Sequence, residues 1–252
     1  AIIDYLYSRI MNTSSQLSDQ DLELLRQHDT PTVCNVIELF NFRPRNKGYM
    51  DRRIESAFPE MPPMVGYAST ATFRSAALSE GDVYGSLVNQ VASFSEIGSP
   101  PVIVFQDLDH PVVAATFGEL MCTTYKRFGA AGLITSGAGR DMDQVRAIDF
   151  PVFTNGVICA HGYCHTPTIQ VTVEVGGLIV KPGDLLHGDC NGVTSIPHEI
   201  ASEVAQLCGP FMDAESVLLD YLNGNDLTPK GLAEAQAASR SMIDKLAKQV
   251  AK

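Results

Sequence analysis

The sequence predicts a protein of the α/β class, in which short strands alternate with helices. Apolar runs of the length expected for strands occur at Val102–Phe105, Val112–Ala115 and Leu133–Ile134. Helical patterns separate these runs, and glycine-containing turns stand where a strand is followed by a helix. No dinucleotide-binding fingerprint accompanies the alternation.

Capping signals mark the first helices. Ser18-Asp19-Gln20-Asp21 resembles a capping box and predicts a helix that extends to about Gln27. Thr30-Pro31 predicts a second helix over 31–40, with Thr30 as its N-cap and the proline at its first position. Before both, residues 2–11 form a candidate amphipathic helix that would pack on a partner or on the core.

A long loop is predicted over residues 41–63, which are rich in proline, arginine and asparagine. Its cations form the one basic stretch of an acidic chain: Arg43, Arg45, Lys47, Arg52 and Arg53. Two interpretations remain open. The stretch is either a solvated loop, as most charge runs are, or a lid or subunit contact near an anionic site.

The remaining strands follow from the period of the apolar residues. Strands are predicted at 64–74, 151–153 and 169–175. Gly176-Gly177 predicts a hairpin turn from the last of these into a strand at 178–180.

The remaining helices are read from apolar pattern and from capping residues. One is predicted over 82–96. Ser195-Ile196-Pro197 predicts the start of a long helix that is interrupted at Gly209-Pro210 and ends near Leu222. Thr228 is the predicted cap of a last helix over 229–250.

The overall composition narrows the classes of partner. With 252 residues and 45% hydrophobic residues, the chain can form one sizeable core. Its net charge of −11 argues against nucleic acid as a partner, since phosphate contacts draw on lysine and arginine. An acidic protein still binds a small anion where the pocket is locally positive.

Cysteine usage and the N-terminus indicate a cytoplasmic protein. The six cysteines are scattered without a CxxC pair, which is typical of free thiols in a reducing compartment. The N-terminus has no basic region of the signal-peptide type. No window of the sequence approaches 18 apolar residues, so no membrane span is predicted.

The stretch 118–141 carries the candidate site. Gly118-Glu119-Leu120-Met121 and Arg140-Asp141 both lie where a predicted strand ends and a predicted helix begins. Free backbone N–H groups point outward at such a turn and favour an anion. The second turn adds an arginine beside a carboxylate. This combination suits a small substrate with a carboxylate that is held together with a metal.

The spacing of these residues resembles that of the RraA-like family. Glu119, twenty intervening residues and Arg140-Asp141 match its D/E-x20-R-D signature. Further similar segments are 143–153, Lys181-Pro182-Gly183-Asp184 and 188–193, and the resemblance covers about 20–222. Members often carry Asp-Gly before the Arg-Asp turn, where this chain has Ser136-Gly137.

The resemblance implies a fold and an assembly. The fold is a layered β/β/α sandwich of the swivelling type, formed by a single domain over 1–252 with extra helices at 1–17 and 225–252. Members assemble as a homotrimer or as a hexamer of two stacked trimers. Family aldolases bring a glutamate from a neighbouring subunit's C-terminal helix towards the metal, and Glu215 stands at about the matching distance along the chain.

The resemblance also implies a lyase of the class II pyruvate-aldolase type, with related 2-oxo acid decarboxylase activity left open. The amides of Gly118, Glu119, Leu120 and Met121 would bind the carboxylate of a 2-oxo acid. Asp141 would hold Mg²⁺ or Mn²⁺ mainly through waters. Arg140 would stabilise the enolate, and Glu119 would orient or protonate the water that returns a proton.

Other interpretations compete with this one. The family's namesake regulates a ribonuclease by binding it, so a non-catalytic regulator is the main alternative. A methyltransferase role is rejected, because no glycine-rich motif for S-adenosylmethionine is present. The cluster 159–165 contains potential zinc ligands, and its His161 and His165 are also candidates to line the pocket. Lys126 is a Schiff-base candidate that a helix would expose to solvent.

Overall fold

A seven-stranded mixed sheet forms the centre of the protein. The computed structural model describes residues 16–79 and 83–251. Across the sheet the strands lie in the order β1 (Glu55–Ser56), β7 (Val152–Thr154), β5 (Gly132–Thr135), β3 (Pro101–Asp107), β2 (Met64–Phe73), β10 (Leu185–Asp189) and β11 (Gly192–Ile196). β2, β3, β5 and β7 run parallel, whereas β1, β10 and β11 pair antiparallel with their neighbours.

Two pairs of short strands lie outside this sheet. β4 (Ala115–Phe117) and β6 (Ala138–Gly139) pair in parallel, and β8 (Val173–Val175) forms a hairpin with β9 (Leu178–Val180). Gly176 and Gly177 connect the hairpin with φ values of +54° and +74°, as a two-residue turn with two left-handed positions requires. The predicted hairpin turn is confirmed, although β8 is shorter than the predicted strand 169–175.

Seven α-helices are found in the described ranges. They are α1 (Asp19–Arg26), α2 (Thr30–Leu39), α3 (Val83–Ala92), α4 (Glu119–Arg127), α5 (Met142–Ala147), α6 (Ala201–Leu222) and α7 (Pro229–Val250). Ser18 caps α1 and Thr228 caps α7 through their side chains, as predicted. The predicted helix at 2–11 lies outside the described residues.

The predicted cap of α2 is wrong by one residue. Asp29, not Thr30, is the N-cap, and its carboxylate accepts the N–H of Thr32 at 2.8 Å. Thr30 forms hydrogen bonds with residues of β10 instead. Its N–H donates to Asp189 Oδ2 at 2.9 Å, and its hydroxyl lies 2.9 Å from His187 Nδ1.

The long helix α6 also departs from its prediction. Ser195 and Ile196 belong to β11, a 3₁₀ turn follows at His198–Ile200, and the helix begins only at Ala201. It then runs without interruption through Pro210. Pro210 is exposed, so the carbonyl that loses its backbone partner there can be hydrated.

Three layers are packed on one another. α1, α2 and α6 share an apolar cluster with β2, β10 and β11, while α3, α4 and α5 pack on the other part of the same face. The opposite face is covered by the β8–β9 hairpin. Because both faces are buried, the central strands have continuous apolar runs. The predicted layered β/β/α architecture is therefore confirmed, and α7 is added outside it against α6.

Candidate active site

The two predicted turns lie side by side. β4 pairs in parallel with β6, so that Ala115 lies opposite Ala138 and Phe117 opposite Gly139. Both strands then turn into helices at the same edge, β4 through Gly118 into α4 and β6 through Arg140-Asp141 into α5. The N–H of Arg140 donates to the carbonyl of Phe117 at 3.1 Å, which locks the turns together.

Asp141 connects the two helix starts. It adopts the left-handed conformation, with φ 57° and ψ 41°, and its side chain makes no cap bond to its own helix α5. Instead, Oδ2 accepts the N–H of Glu119 at 3.1 Å, at the first position of α4. Arg140 Nε lies 3.7 Å from the same oxygen. A carboxylate at a helix N-terminus is stabilised by the helix dipole and by the open amides.

Gly118 makes room for this arrangement. A Cβ atom at this position would lie 2.6 Å from Asp141 Oδ2 and 3.1 Å from Arg140 Nε. The φ of Gly118 is −157°, which any residue adopts. The glycine is therefore required for space and not for conformation.

A cleft of about 310 Å³ opens beside the two turns. Its described lining contains four of the five predicted substrate-binding residues and one of the two predicted metal ligands, namely Gly118, Leu120, Met121, Arg140 and Asp141. The pocket candidate His161 also lines it, as do four residues that were not predicted: Ala115, Thr116, Phe117 and Cys164. Arg140 and Asp141 each expose about a third of their side chains, 35% and 38%. They are therefore reachable by a ligand and partly shielded from water.

Glu119 is placed differently from the other predicted residues. Its side chain is exposed and is not part of the cleft lining, and its N–H is already used by Asp141. Among the four predicted substrate amides, this one is therefore occupied. The amides of Leu120 and Met121 occupy the next two positions of α4, where an α-helix offers no internal acceptor.

The segment 156–165 forms one wall of the cleft. It contributes His161 and Cys164 to the lining. His165 is not part of the lining, because its backbone pairs with Arg74, with N–O distances of 2.9 and 3.0 Å. Burial raises the pKa of the Cys164 thiol, and the charge of Arg140 partly opposes this effect.

Sequence reasoning missed Thr116 and Phe117 as cleft residues. The most apolar run, 112–115, was predicted as the strand, but β4 lies two to three residues later. The signal that locates it is not local, because β4 is defined by its pairing with β6.

The side chains of the cleft fit a divalent cation that keeps several waters better than one that is fully enclosed by protein ligands. Within the described ranges, no group of three or more His, Cys, Asp or Glu side chains is arranged to hold a metal. The zinc interpretation of 159–165 therefore gains no support. Asp141 is the carboxylate of the cleft, and Mg²⁺ is commonly held by one or two carboxylates while it keeps several waters.

Lys126 and the basic stretch have other contacts. Lys126 Nζ donates to the carbonyls of Ile148 and Asp149, the second at 3.1 Å, and so ties α4 to the end of α5. Arg43 donates to Ser195 on β11, an edge strand of the large sheet. No residue of 41–63 lines the described cleft of the same chain. A contact with a second subunit stays open.

Glu215 lies on α6, where it is half-buried. It is not part of the described cleft lining of its own chain. Its predicted contribution to a neighbouring subunit's metal site stays a prediction.

A comparison with protein families identifies the family of this chain. The profile of the RraA-like family, described as aldolase/RraA, matches residues 30–194. The chain belongs to the RraA-like family. The match ends before α6 and α7, so both helices lie beyond the part that the family profile covers.

Curated relatives match part of the chain. A protein of Halalkalibacterium halodurans, provisionally named a 4-hydroxy-4-methyl-2-oxoglutarate aldolase, is 34% identical over 109 residues, which are 43% of this chain and 52% of that protein. An uncharacterised protein of Methanocaldococcus jannaschii is 33% identical over 115 residues, or 45% of this chain and 55% of its own. The chain spans about half the length of these relatives.

Solved structures confirm the RraA fold. An uncharacterised protein from Pseudomonas syringae superposes with a TM-score of 0.70 at 19% identity, over 89% of this chain and 96% of the other. RraAS2 of Streptomyces coelicolor, described as an unusual member of the RNase ES inhibitor RraA family, has a TM-score of 0.64 at 20% identity, over 80% and 96%. None of the helices in the described ranges has the length and apolar character needed to cross a bilayer.

Proposed function

We propose that this protein is a divalent-metal-dependent lyase of the pyruvate-aldolase type, which cleaves a 4-hydroxy-2-oxo acid into pyruvate and a carbonyl compound. One observation carries the proposal: Arg140 and Asp141 meet the start of α4 in a single cleft. The provisional aldolase name of the Halalkalibacterium halodurans relative supports the same class of reaction.

The carboxylate end of the substrate binds at the start of α4. The amides of Leu120 and Met121 point out of the helix there, and the helix dipole favours an anion. Asp141 occupies the preceding amide, so the substrate carboxylate lies next to this side chain rather than in its place. Two carboxylates this close repel each other unless a cation lies between them. This repulsion supports a divalent metal, which Asp141 would hold.

A bound Mg²⁺ or Mn²⁺ would supply Lewis-acid polarisation of the 2-oxo group. Asp141 would hold it, mainly through waters. When the C3–C4 bond breaks, its electron pair moves into the enolate of pyruvate, while the 4-hydroxyl gives its proton to a water molecule and becomes the carbonyl of the second product. Arg140 donates hydrogen bonds to the enolate oxygen as its charge develops. Glu119, whose side chain is exposed and whose chain neighbours Gly118 and Leu120 line the cleft, would orient the water that protonates C3.

The proposal is tested by pyruvate release from 4-hydroxy-2-oxo acids, with Mg²⁺ and after its removal by a chelator. We expect activity to depend on the metal and to be insensitive to borohydride, since Lys126 is engaged by two carbonyls. Arg140→Lys should lower kcat by about 10²–10³, because lysine lacks the planar fork of donors. Near-normal turnover of this variant at unchanged stability would disprove the role of Arg140.

The site is proposed to lie at a subunit boundary of a homotrimer or hexamer. Apolar side chains are exposed on and near the cleft, at Leu120, Val157 and Tyr163, and a second chain would cover them. Glu215 is proposed to reach the neighbouring site from α6. The regulator hypothesis remains the alternative, since protein binding requires neither Arg140 nor a metal. Absence of pyruvate release from every 4-hydroxy-2-oxo acid would favour it.

A further inference from the structure

Three cations of the basic stretch line a small pocket that is separate from the candidate active site. The pocket lies between α2 and the loop that follows it, and its lining includes Cys34, Glu38, Arg43, Arg45, Lys47 and Tyr49. None of these residues belongs to the described lining of the cleft. The volume is about 80 Å³, which is room for roughly two or three waters. A single phosphate or carboxylate group fits there, whereas a sugar or a nucleobase does not.

The guanidinium of Arg43 is held in place by β11. Its Nη1 donates to Ser195 Oγ at 2.9 Å, and its Nη2 donates to the carbonyl of Ser195 at 2.8 Å and to Thr194 Oγ1 at 3.3 Å. Gly48 makes room for it, because a Cβ atom there would overlap the guanidinium, and the φ of +97° also favours glycine. A cation that is already held in one position loses little further freedom when it binds a ligand.

The loop that carries Arg43 is attached to the same strand. The carbonyl of Gly48 accepts the N–H of Ser195 and the hydroxyl of Thr194, both at 2.9 Å. The N–H of Met50 donates to the carbonyl of Val193 at 2.9 Å. This end of the basic stretch is therefore a wall fixed to the sheet and not a freely solvated loop.

The pocket concentrates positive charge in an acidic protein. Arg43, Arg45 and Lys47 line it together with one carboxylate, that of Glu38, so the lining has a net charge of +2. Glu38 pairs with Arg45, at 3.4 Å from Nε. Arg43 is half-buried, and this burial lowers the pKa of its guanidinium. Because burial penalises the charged form, an anion in the pocket would stabilise Arg43 as well as bind to it.

We infer that this pocket binds a phosphate group. The described hydrogen bonds use three of the five N–H hydrogens of Arg43, so two are left for a ligand. A phosphate carries a charge of about −1.5 to −2 near neutral pH, which matches the lining, whereas a single carboxylate balances only half of it. Arginine and lysine are the side chains that commonly bind phosphate. The inference does not depend on the proposed lyase activity.

Calorimetric titration of the full-length protein tests the inference directly. The protein is freed of metal with a chelator, dialysed, and titrated with inorganic phosphate and, at equal ionic strength, with acetate. We expect phosphate to bind on the order of tenfold more tightly than acetate, because more charge-assisted hydrogen bonds form. Absence of phosphate binding, or equal binding of acetate, overturns the inference. A pocket that is filled by a carboxylate of a second subunit would give the first of these results.

A titration with methyl phosphate distinguishes two sources of the phosphate group. Tighter binding of methyl phosphate than of inorganic phosphate supports the phosphate group of an ester as the ligand. Tighter binding of inorganic phosphate supports the free ion. If methyl phosphate and phosphate both fail to compete with each other for one site, the inference of a single phosphate pocket is overturned.

Variants of the lining should change the affinity in opposite directions. Lys47→Gln should weaken phosphate binding by roughly threefold, and Glu38→Gln should strengthen it by about the same factor, as expected for exposed charges. Arg43→Lys should weaken it by about tenfold, because the fork of donors is lost. Should Arg43→Lys disturb the loop, the other two variants still decide, since Lys47 and Glu38 make no described hydrogen bond to β11.

Two further variants show where the phosphate binds. Arg52→Gln removes one positive charge from the same loop but lies outside the described lining, so the affinity should stay unchanged. An effect as large as that of Lys47→Gln would show that net charge governs binding, and would overturn the inference. Arg140→Gln should also leave phosphate binding unchanged. Loss of binding in that variant, with no response to the pocket variants, would place the anion in the cleft and likewise overturn it.

Discussion

Gly118→Ala is expected to inactivate the protein without unfolding it. The new Cβ atom would lie 2.6 Å from Asp141 Oδ2, whereas ordinary contacts begin near 3.4 Å. If the backbone stays in place, the carboxylate therefore moves by roughly 0.8 Å. The contact to Arg140 Nε, at 3.1 Å, needs a smaller adjustment.

The size of the effect follows from that displacement. A misplacement of about 1 Å in a catalytic arrangement costs on the order of 10²-fold in rate. We expect kcat/KM for pyruvate release to fall by about this factor, and the Mg²⁺ concentration for half-maximal activity to rise. The free energy of unfolding should fall by about 1 kcal/mol only, because Asp141 is partly exposed and its bond to the N–H of Glu119 resembles a cap.

Steady-state kinetics and chemical denaturation of the same preparation check both values. The matched control is Gly209→Ala, the same substitution in α6, where the added Cβ meets nothing within 4 Å outside its own helix backbone and its two chain neighbours. This control should keep full activity and change the free energy of unfolding little, because the gain in helix propensity is opposed by contact between the new Cβ and the ring of Pro210. If Gly118→Ala retained kcat/KM within about threefold, the position of Asp141 would be irrelevant to the reaction, and its assignment as a metal ligand would fail.

Two further predictions concern parts of the protein away from the cleft. Burial of His187 lowers the pKa of its imidazole. As the pH falls below about 6.5, the unfolded chain therefore binds a proton at this residue that the folded chain does not bind. The contribution of His187 to the free energy of unfolding should therefore be fully present above that pH and fall by up to about 1.4 kcal/mol per pH unit below it. His187→Gln should remove this pH dependence when chemical denaturation is measured at a series of pH values. Inactive Arg140 and Glu215 variants, mixed and reassembled, should regain some activity if subunits share a site. Absence of rescue despite confirmed subunit exchange would contradict the shared site.

Local sequence rules predicted most helices and strands correctly. They gave the wrong boundary where a contact with a residue distant in sequence determines it. At the start of α2, both Asp29 and Thr30 are good N-cap residues. Thr30 is drawn away because its N–H meets Asp189 on β10, and Asp29 then caps the helix. No rule about neighbouring residues contains that contact.

The same reasoning explains the helix α6. Gly209-Pro210 is a strong local signal for an interruption, and the free-energy cost of proline within a helix is about 3 kcal/mol. Residues on both sides of it, Cys208 and Phe211, are buried in the apolar cluster shared with α1 and α2. Their burial outweighs the lost hydrogen bond, since a fully buried large side chain contributes about 1.5–3 kcal/mol. The helix is therefore continuous.

The candidate site was more predictable than these boundaries because its residues belong to consecutive elements. β4 and β6 are parallel, so the chain must cross over between them, and it does so through α4 and β5. The twenty residues between Glu119 and Arg140 are this crossover. Parallel strands end at the same edge, which places the start of α4 against Arg140-Asp141 whatever the side chains between them are.

What the spacing does not predict is the conformation of Asp141. Asp141 occupies the left-handed region at φ 57°, which aspartate adopts more readily than most residues other than glycine, and it leaves its own helix α5 without a side-chain cap. Instead, its carboxylate lies across the turn at the start of α4 and next to Arg140. This arrangement of opposite charges at the cleft is the structural reason for proposing that the chemistry takes place at Arg140-Asp141 and not at the exposed carboxylate of Glu119.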